Sequence, residues 1–160
     1  MHSMSARTLL ASALVAAVIF CLVGPRRMDA RTNVANANVA ETAAVEPDMH
    51  EFMEYYFQPT YLRLKAQMAA EPTNNQGWKA VKSDALILAE GGNLLLIRQP
   101  EKDAQSWQEL SIQVRGLGGE LYQAAKKKDY KSAQQHYKTM LTKCNACHQK
   151  FAKGEHQLAP

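Results

Sequence analysis

Residues 129–154 read DYKSAQQHYKTMLTKCNACHQKFAKG, and this stretch decides the fold. Tyr130, Ala133, Tyr137, Leu141, Cys144, His148 and Phe151 recur at steps of three and four residues, which puts them on one face of an α-helix. Asp129 stands where an N-cap is wanted, because its carboxylate can accept from the first free amides of the helix. Gly154 supplies a stop. A helix with one apolar face needs other apolar faces to cover it, so the rest of the chain should provide them.

Three upstream segments do. One begins near Asp103 and carries Trp107, Leu110, Val114, Leu117, Leu121 and Ala124 in alternating steps of three and four, the seam of a bundle, with a middle thinned by Gly116, Gly118 and Gly119. Another runs from Trp78 to about Ile97, with Trp78, Val81, Ala85, Leu88, Gly92 and Leu95 in phase, and Pro100 ends it. Its adjacent Gly91 and Gly92 cost about 1 kcal/mol each relative to alanine. Either the helix breaks there or something bulky approaches its backbone closely. The first segment follows the N-capping Asp48, with Met49, Phe52, Met53, Tyr56, Phe57, Thr60, Leu64 and Met68 on one stripe. Pro59 predicts a kink over residues 55–59, or two shorter helices. Residues 71–77, EPTNNQG, form the turn that follows. Nothing alternates with the period of two that strands require. The expected fold is all-α, an antiparallel four-helix bundle over residues 47–160.

Ahead of that domain, residues 9–24 read LLASALVAAVIFCLVG behind Arg7, the pattern of a secretory signal. Residues 1–24 are therefore a signal peptide or an uncleaved signal anchor, since sixteen residues are long for the one and short for the other. Ala35-Asn36-Ala37 resembles a cleavage site but stands far from the apolar run, and Arg26, Arg27 and Arg31 follow it. Cys21 reads as a buried apolar thiol of the signal. Residues 25–46, PRRMDARTNVANANVAETAAVE, lack any sustained apolar period and read as a flexible linker. A chain of 160 residues, 46% hydrophobic with three cysteines, fits one small domain without a disulfide framework. Its net charge of +4 is too diffuse to argue for nucleic acid, which export also disfavours.

Cys144-Asn145-Ala146-Cys147-His148 is the C-x-x-C-H pattern of covalent haem attachment. Two cysteines at this spacing reach the two vinyl groups along one porphyrin edge, and the adjacent histidine turns under the ring to bind iron. Cys144 and Cys147 would hold one haem c, with His148 as the proximal ligand. Zinc would need a fourth ligand, for which His136 or His156 is at hand, but no second C-x-x-C appears. A thioredoxin-like pair would need a βαβ setting. Haem of this kind is attached outside the cytoplasm, so motif and signal agree on a periplasmic or otherwise exported protein.

Four helices with C-x-x-C-H on the last one resemble the class II c-type cytochromes, the cytochromes c′ and their low-spin relatives, over residues 47 to about 154. Phe151, three residues after His148, and Trp107 opening the third helix are similar to aromatics of that family. Ala152 departs from it where a basic residue is common, with Lys150 and Lys153 flanking. The resemblance implies that the first helix covers the distal face of the iron. An apolar residue there leaves the iron open to small gases, and a methionine closes it for electron transfer. Met53 is the first choice for that ligand and Met49 the next; His50 is off the stripe. His136 and Met140 share a helix with His148 and cannot reach the opposite face. Tyr56, Phe57, Trp107, Leu110 and Tyr137 read as core or pocket wall, and Arg63 as solvent-facing. With no distal arginine and histidine pair, an electron carrier is expected rather than a haem enzyme, the alternative being a five-coordinate protein that binds nitric oxide or carbon monoxide.

Lys126, Lys127, Lys128, Lys131, Lys138, Lys143, Lys150 and Lys153 give the last helix and its approach eight positive charges. Residues 47–125 carry seven basic and ten acidic side chains, so the domain is electrically lopsided. A lysine-rich face suits an acidic redox partner. A membrane contact is expected only if the signal segment stays uncleaved, and a spare apolar stripe would allow a homodimer.

Overall fold

The chain is all-helical in a computed structural model that describes residues 42–160, with no strand among them. The expected signal segment 1–24, with Cys21, and residues 25–41 of the expected linker lie outside the described residues. No helix among the described residues is long and apolar enough to cross a membrane.

Asp48 starts the first helix as its spacing implied, its Oδ1 accepting from the Glu51 amide at 2.9 Å. The helix then changes winding: α1 (Met49–Phe52) passes into a π-helical turn (Met53–Phe57) and then α2 (Gln58–Met68). Pro59 explains the change. It has no amide to give and its ring crowds the preceding turn, so the wider turn, closed by the Gln58 amide on the Met53 carbonyl, accommodates it without a break. Sequence spacing predicted a kink or two helices; the chain instead keeps one rod with an extra residue wound into it.

Helix α3 (Asn75–Leu96) begins three residues earlier than the expected Trp78, because Asn74 caps it through the Gly77 amide at 2.9 Å. The breaker-rich run 71–77 therefore ends in a helix start. Gly91 and Gly92 do not break α3; they are where neighbours come close. A Cβ on Gly92 would stand 2.8 Å from the Arg115 backbone nitrogen, and one on Gly91 would stand 2.7 Å from the Phe57 ring. α4 (Ala104–Lys127) returns along α3, and Gly118 gives the same close approach at the Ala89 backbone, 3.0 Å from where its Cβ would be. Lys128, left-handed at φ 58°, and Asp129 make the short link to α5 (Tyr130–Phe151), where Asp129 accepts from the Ser132 amide at 3.0 Å.

Packing follows chain order, α2 on α3, α3 on α4, α4 on α5. The larger core gathers Leu64, Val81, Leu121, Tyr137, Met140 and Leu141. Full burial of a leucine such as Leu64 contributes about 1.5–3 kcal/mol. A second, smaller cluster of Phe52, Leu95, Trp107 and Cys147 sits at the motif end of α5. Trp107 is fixed there by its indole N–H, which donates to the Leu95 carbonyl at 2.8 Å. Tyr130 at the start of α5 donates its hydroxyl to the Met68 carbonyl at the end of α2, 2.8 Å away.

Arg63 is exposed, as the sequence suggested, but it is also tied to a buried carboxylate. Its Nη2 donates to Asp84 Oδ1 at 2.7 Å while Gln67 donates to Oδ2 at 2.9 Å. Asp84 is buried on α3, so the guanidinium is drawn inward to neutralise it.

Candidate functional site

The first helical rod, α3, α4, the motif end of α5 and residues 155–158 border one open space. It is an apolar cavity of about 980 Å³, near the upper end of the ~300–1,000 Å³ that small-molecule and cofactor sites occupy. Leu88, Leu95, Trp107, Leu110, Val114 and Leu141 make its floor and walls.

The helical period of α5 brings Cys144, Cys147 and His148 to this cavity, and the first rod brings Met49 and Met53 to it. The five residues singled out from the sequence thus line one space. Met49 and Met53 pack against the cluster that contains Cys147. Phe57, Trp107 and Leu110 line the cavity as the sequence suggested, whereas Tyr56 turns to α3, where its hydroxyl donates to the Ile87 carbonyl at 3.0 Å. Tyr137 lies in the larger core, its hydroxyl without a hydrogen-bond partner among the described residues. His136 pairs with Glu120 of α4 at 3.0 Å. His50 lines the cavity but is 72% exposed and stands 3.5 Å from Glu54.

Burial dominates the chemistry of the motif. It pushes the Cys144 thiol up to about 12 and the Cys147 thiol up to about 11. Both are therefore neutral thiols at ordinary pH, which is unlike the thiolate that a redox-active C-x-x-C pair requires. Desolvation also lowers the His148 pKa, against a hydrogen bond that favours the charged ring. That bond joins His148 Nδ1 to the His156 carbonyl at 2.8 Å. A carbonyl only accepts, so Nδ1 carries the hydrogen and Nε2 of the neutral ring keeps its lone pair. A histidine ligand is usually held in this way, one nitrogen for the metal and the other bonded to a backbone oxygen.

The residues that line the cavity are of the kinds a covalent haem would need: two thiols, one imidazole with a bare Nε2, two methionines and a predominantly apolar lining. Among the described residues no three His, Cys, Asp or Glu side chains are grouped to hold a bare metal ion. The segment after Gly154, of which the sequence marked only His156, as a possible zinc ligand, also lines the cavity through Glu155, His156, Gln157 and Leu158. It has no periodicity that could have marked the rest. Arg98 was missed as well; it lines the cavity with its guanidinium 3.8 Å over the Phe52 ring and donates to the Glu46 and Leu94 carbonyls.

No family model matches the chain, and no curated protein matches it.

Proposed function

We propose that the protein is an exported c-type cytochrome, an antiparallel four-helix bundle of the class II kind that carries one haem c and transfers electrons without catalysing a reaction of its own. One observation supports this reading: Cys144, Cys147 and His148 of the C-x-x-C-H motif, which sequence alone marks for haem, line an apolar cavity that Met49 and Met53 also line. Haem supplies a one-electron couple at its iron. Cys144 and Cys147 would tether it, His148 would supply Nε2 as a ligand to the iron, and Met53, with Met49 next, would be the candidate for a second ligand. Leu88, Leu95 and Val114 keep water from the ring. Residues 1–24 direct the chain to the periplasm or beyond, and an acidic redox partner docks on the lysine-bearing side of α5.

A second reading keeps the haem but leaves the sixth position open for nitric oxide or carbon monoxide. Phe57 favours it, because this ring shares the cavity with the two methionines and could cover the iron in their place.

Optical spectra of the matured protein, oxidised and reduced, with and without carbon monoxide, separate the two. We expect a low-spin spectrum unmoved by the gas, and Met53→Ala to turn it high-spin and gas-binding while Met49→Ala leaves it low-spin. A high-spin wild-type spectrum that shifts with carbon monoxide would transfer the assignment to gas binding. A denatured protein that shows no covalent haem stain would end both readings.

A further inference from the structure

The chain does not simply trail off after α5. Lys153, Gly154 and His156 are left-handed, at φ 52°, 81° and 56°, and together they turn the chain back along the helix it has left. Residues 155–159 are then fastened at three places. The His156 carbonyl accepts from His148 Nδ1 at 2.8 Å. Asn145, inside the C-x-x-C-H motif, takes both backbone groups of Leu158, donating Nδ2–H to its carbonyl at 2.9 Å and accepting its amide on Oδ1 at 2.7 Å. The Tyr61 hydroxyl, from α2, does the same for Ala159, donating to its carbonyl at 2.7 Å and accepting its amide at 3.1 Å. Leu158 adds an apolar anchor against the larger core. The segment is a strap from α5 to α2 along the cavity.

We propose that this C-terminal strap is the positioning element for His148, and that Asn145 and Tyr61 are the positioning residues that hold it. An imidazole on a helix face has two tautomers and a broad, roughly two-fold χ2 torsion. A carbonyl fixed in space selects one tautomer and one ring setting, with Nδ1 protonated and Nε2 bare. The carbonyl can do this only if its own segment is fixed, which is what paired bonds to Leu158 and Ala159 accomplish. The consequence for redox chemistry rests on the haem reading above; the fixing of the ring does not. Donation from Nδ1 makes the imidazole a more basic ligand. A more basic ligand favours ferric over ferrous iron, so the strap holds the reduction potential down.

The test uses the full chain, Asn145→Ala, Tyr61→Phe and a chain ending at Glu155. In the haem-free precursor, ring nitrogen-15 shifts of His148 report the tautomer. In the matured protein, the reduction potential and the iron–histidine stretch report ligand strength. We expect a single Nδ1–H tautomer in wild type and a mixture in the shortened chain, with the two point variants between. The ferric-to-ferrous ratio at a fixed potential should fall about tenfold in the shortened chain, a rise in potential of ~59 mV for one electron, with the stretch weakened. An unchanged tautomer, or an unchanged potential, in the shortened chain overturns the proposal. If that chain loses its helicity, the same two readouts on Asn145→Ala and Tyr61→Phe decide. A matured protein without covalent haem overturns the haem reading and leaves the ring measurement to judge the strap.

Discussion

Asp84 has a side chain only 4% exposed, yet it is met by one guanidinium and one amide, from Arg63 and Gln67. Transfer of a carboxylate from water to such a site is unfavourable unless its oxygens are bonded, and Arg63 provides the opposite charge. Arg63→Ala would leave the carboxylate with Gln67 alone, and we expect a loss of about 3 kcal/mol in urea unfolding. The double variant Arg63→Met with Asp84→Leu should recover most of that loss, because replacing both partners removes the charge that needed compensation. If the double variant is as unstable as the single one, the pair is not what holds α2 to α3. The sequence gives little sign of this pair. The two residues are separated by 21 positions, and each is read correctly only when the other is beside it.

At the scale of elements, the π-helical turn is the feature that places the first rod. Its wider winding inserts one residue relative to an α-helix, which turns everything before it by about 100° with respect to α2. Met49, Met53 and Phe57, each four residues apart, thereby come to the same cavity. Pro59→Ala restores an amide and removes the crowding that favours the wide turn, so residues 53–57 should rewind as α-helix. We expect helix content to hold or rise while Met53 leaves the cavity; if Met53 ligates a haem as proposed above, the matured protein would register this as a change from low-spin to high-spin absorption. An unchanged spectrum would mean that the close packing of Phe57 on Gly91 holds the turn without help from proline. Much at this scale was legible: the periodic faces, the Asp48 and Asp129 caps and the two outcomes open to Gly91 and Gly92 all come from local rules. The start of α3 was less so, because whether Asn75, Gln76 and Gly77 are loop or helix depends on which way the Asn74 side chain turns. The strap was not legible at all. Its bonds go to Asn145, His148 and Tyr61, and nothing within residues 155–159 announces them.

On the whole molecule, the eight lysines counted along the sequence are not one patch. Lys131 and His148 are both on α5, separated by seventeen residues or about 25 Å of helix. That is several times the ~8 Å over which charge is felt at physiological salt, so Lys126, Lys127, Lys128 and Lys131 act on a different region from the motif. Near the motif, Lys150 is already engaged, donating to Ser106 Oγ at 2.7 Å and standing 3.6 Å from Asp103. Lys143 and Lys153 are the other two lysines near the motif, and they would meet the partner proposed above. The cavity margin itself carries Glu54 and Glu155, which would repel an acidic surface and confine docking to the lysine-bearing flank. With an acidic redox partner, electron-transfer association should slow as salt rises. Lys143→Glu with Lys153→Glu should slow it about tenfold at low salt and flatten its salt dependence. Lys126→Glu with Lys127→Glu makes the same change in net charge at the C-terminal end of α4, beside the start of α5, and stopped-flow rates should then stay close to wild type. Equal effects from the two pairs would show that only net charge steers the encounter, and a larger effect from the far pair would move the docking surface away from His148.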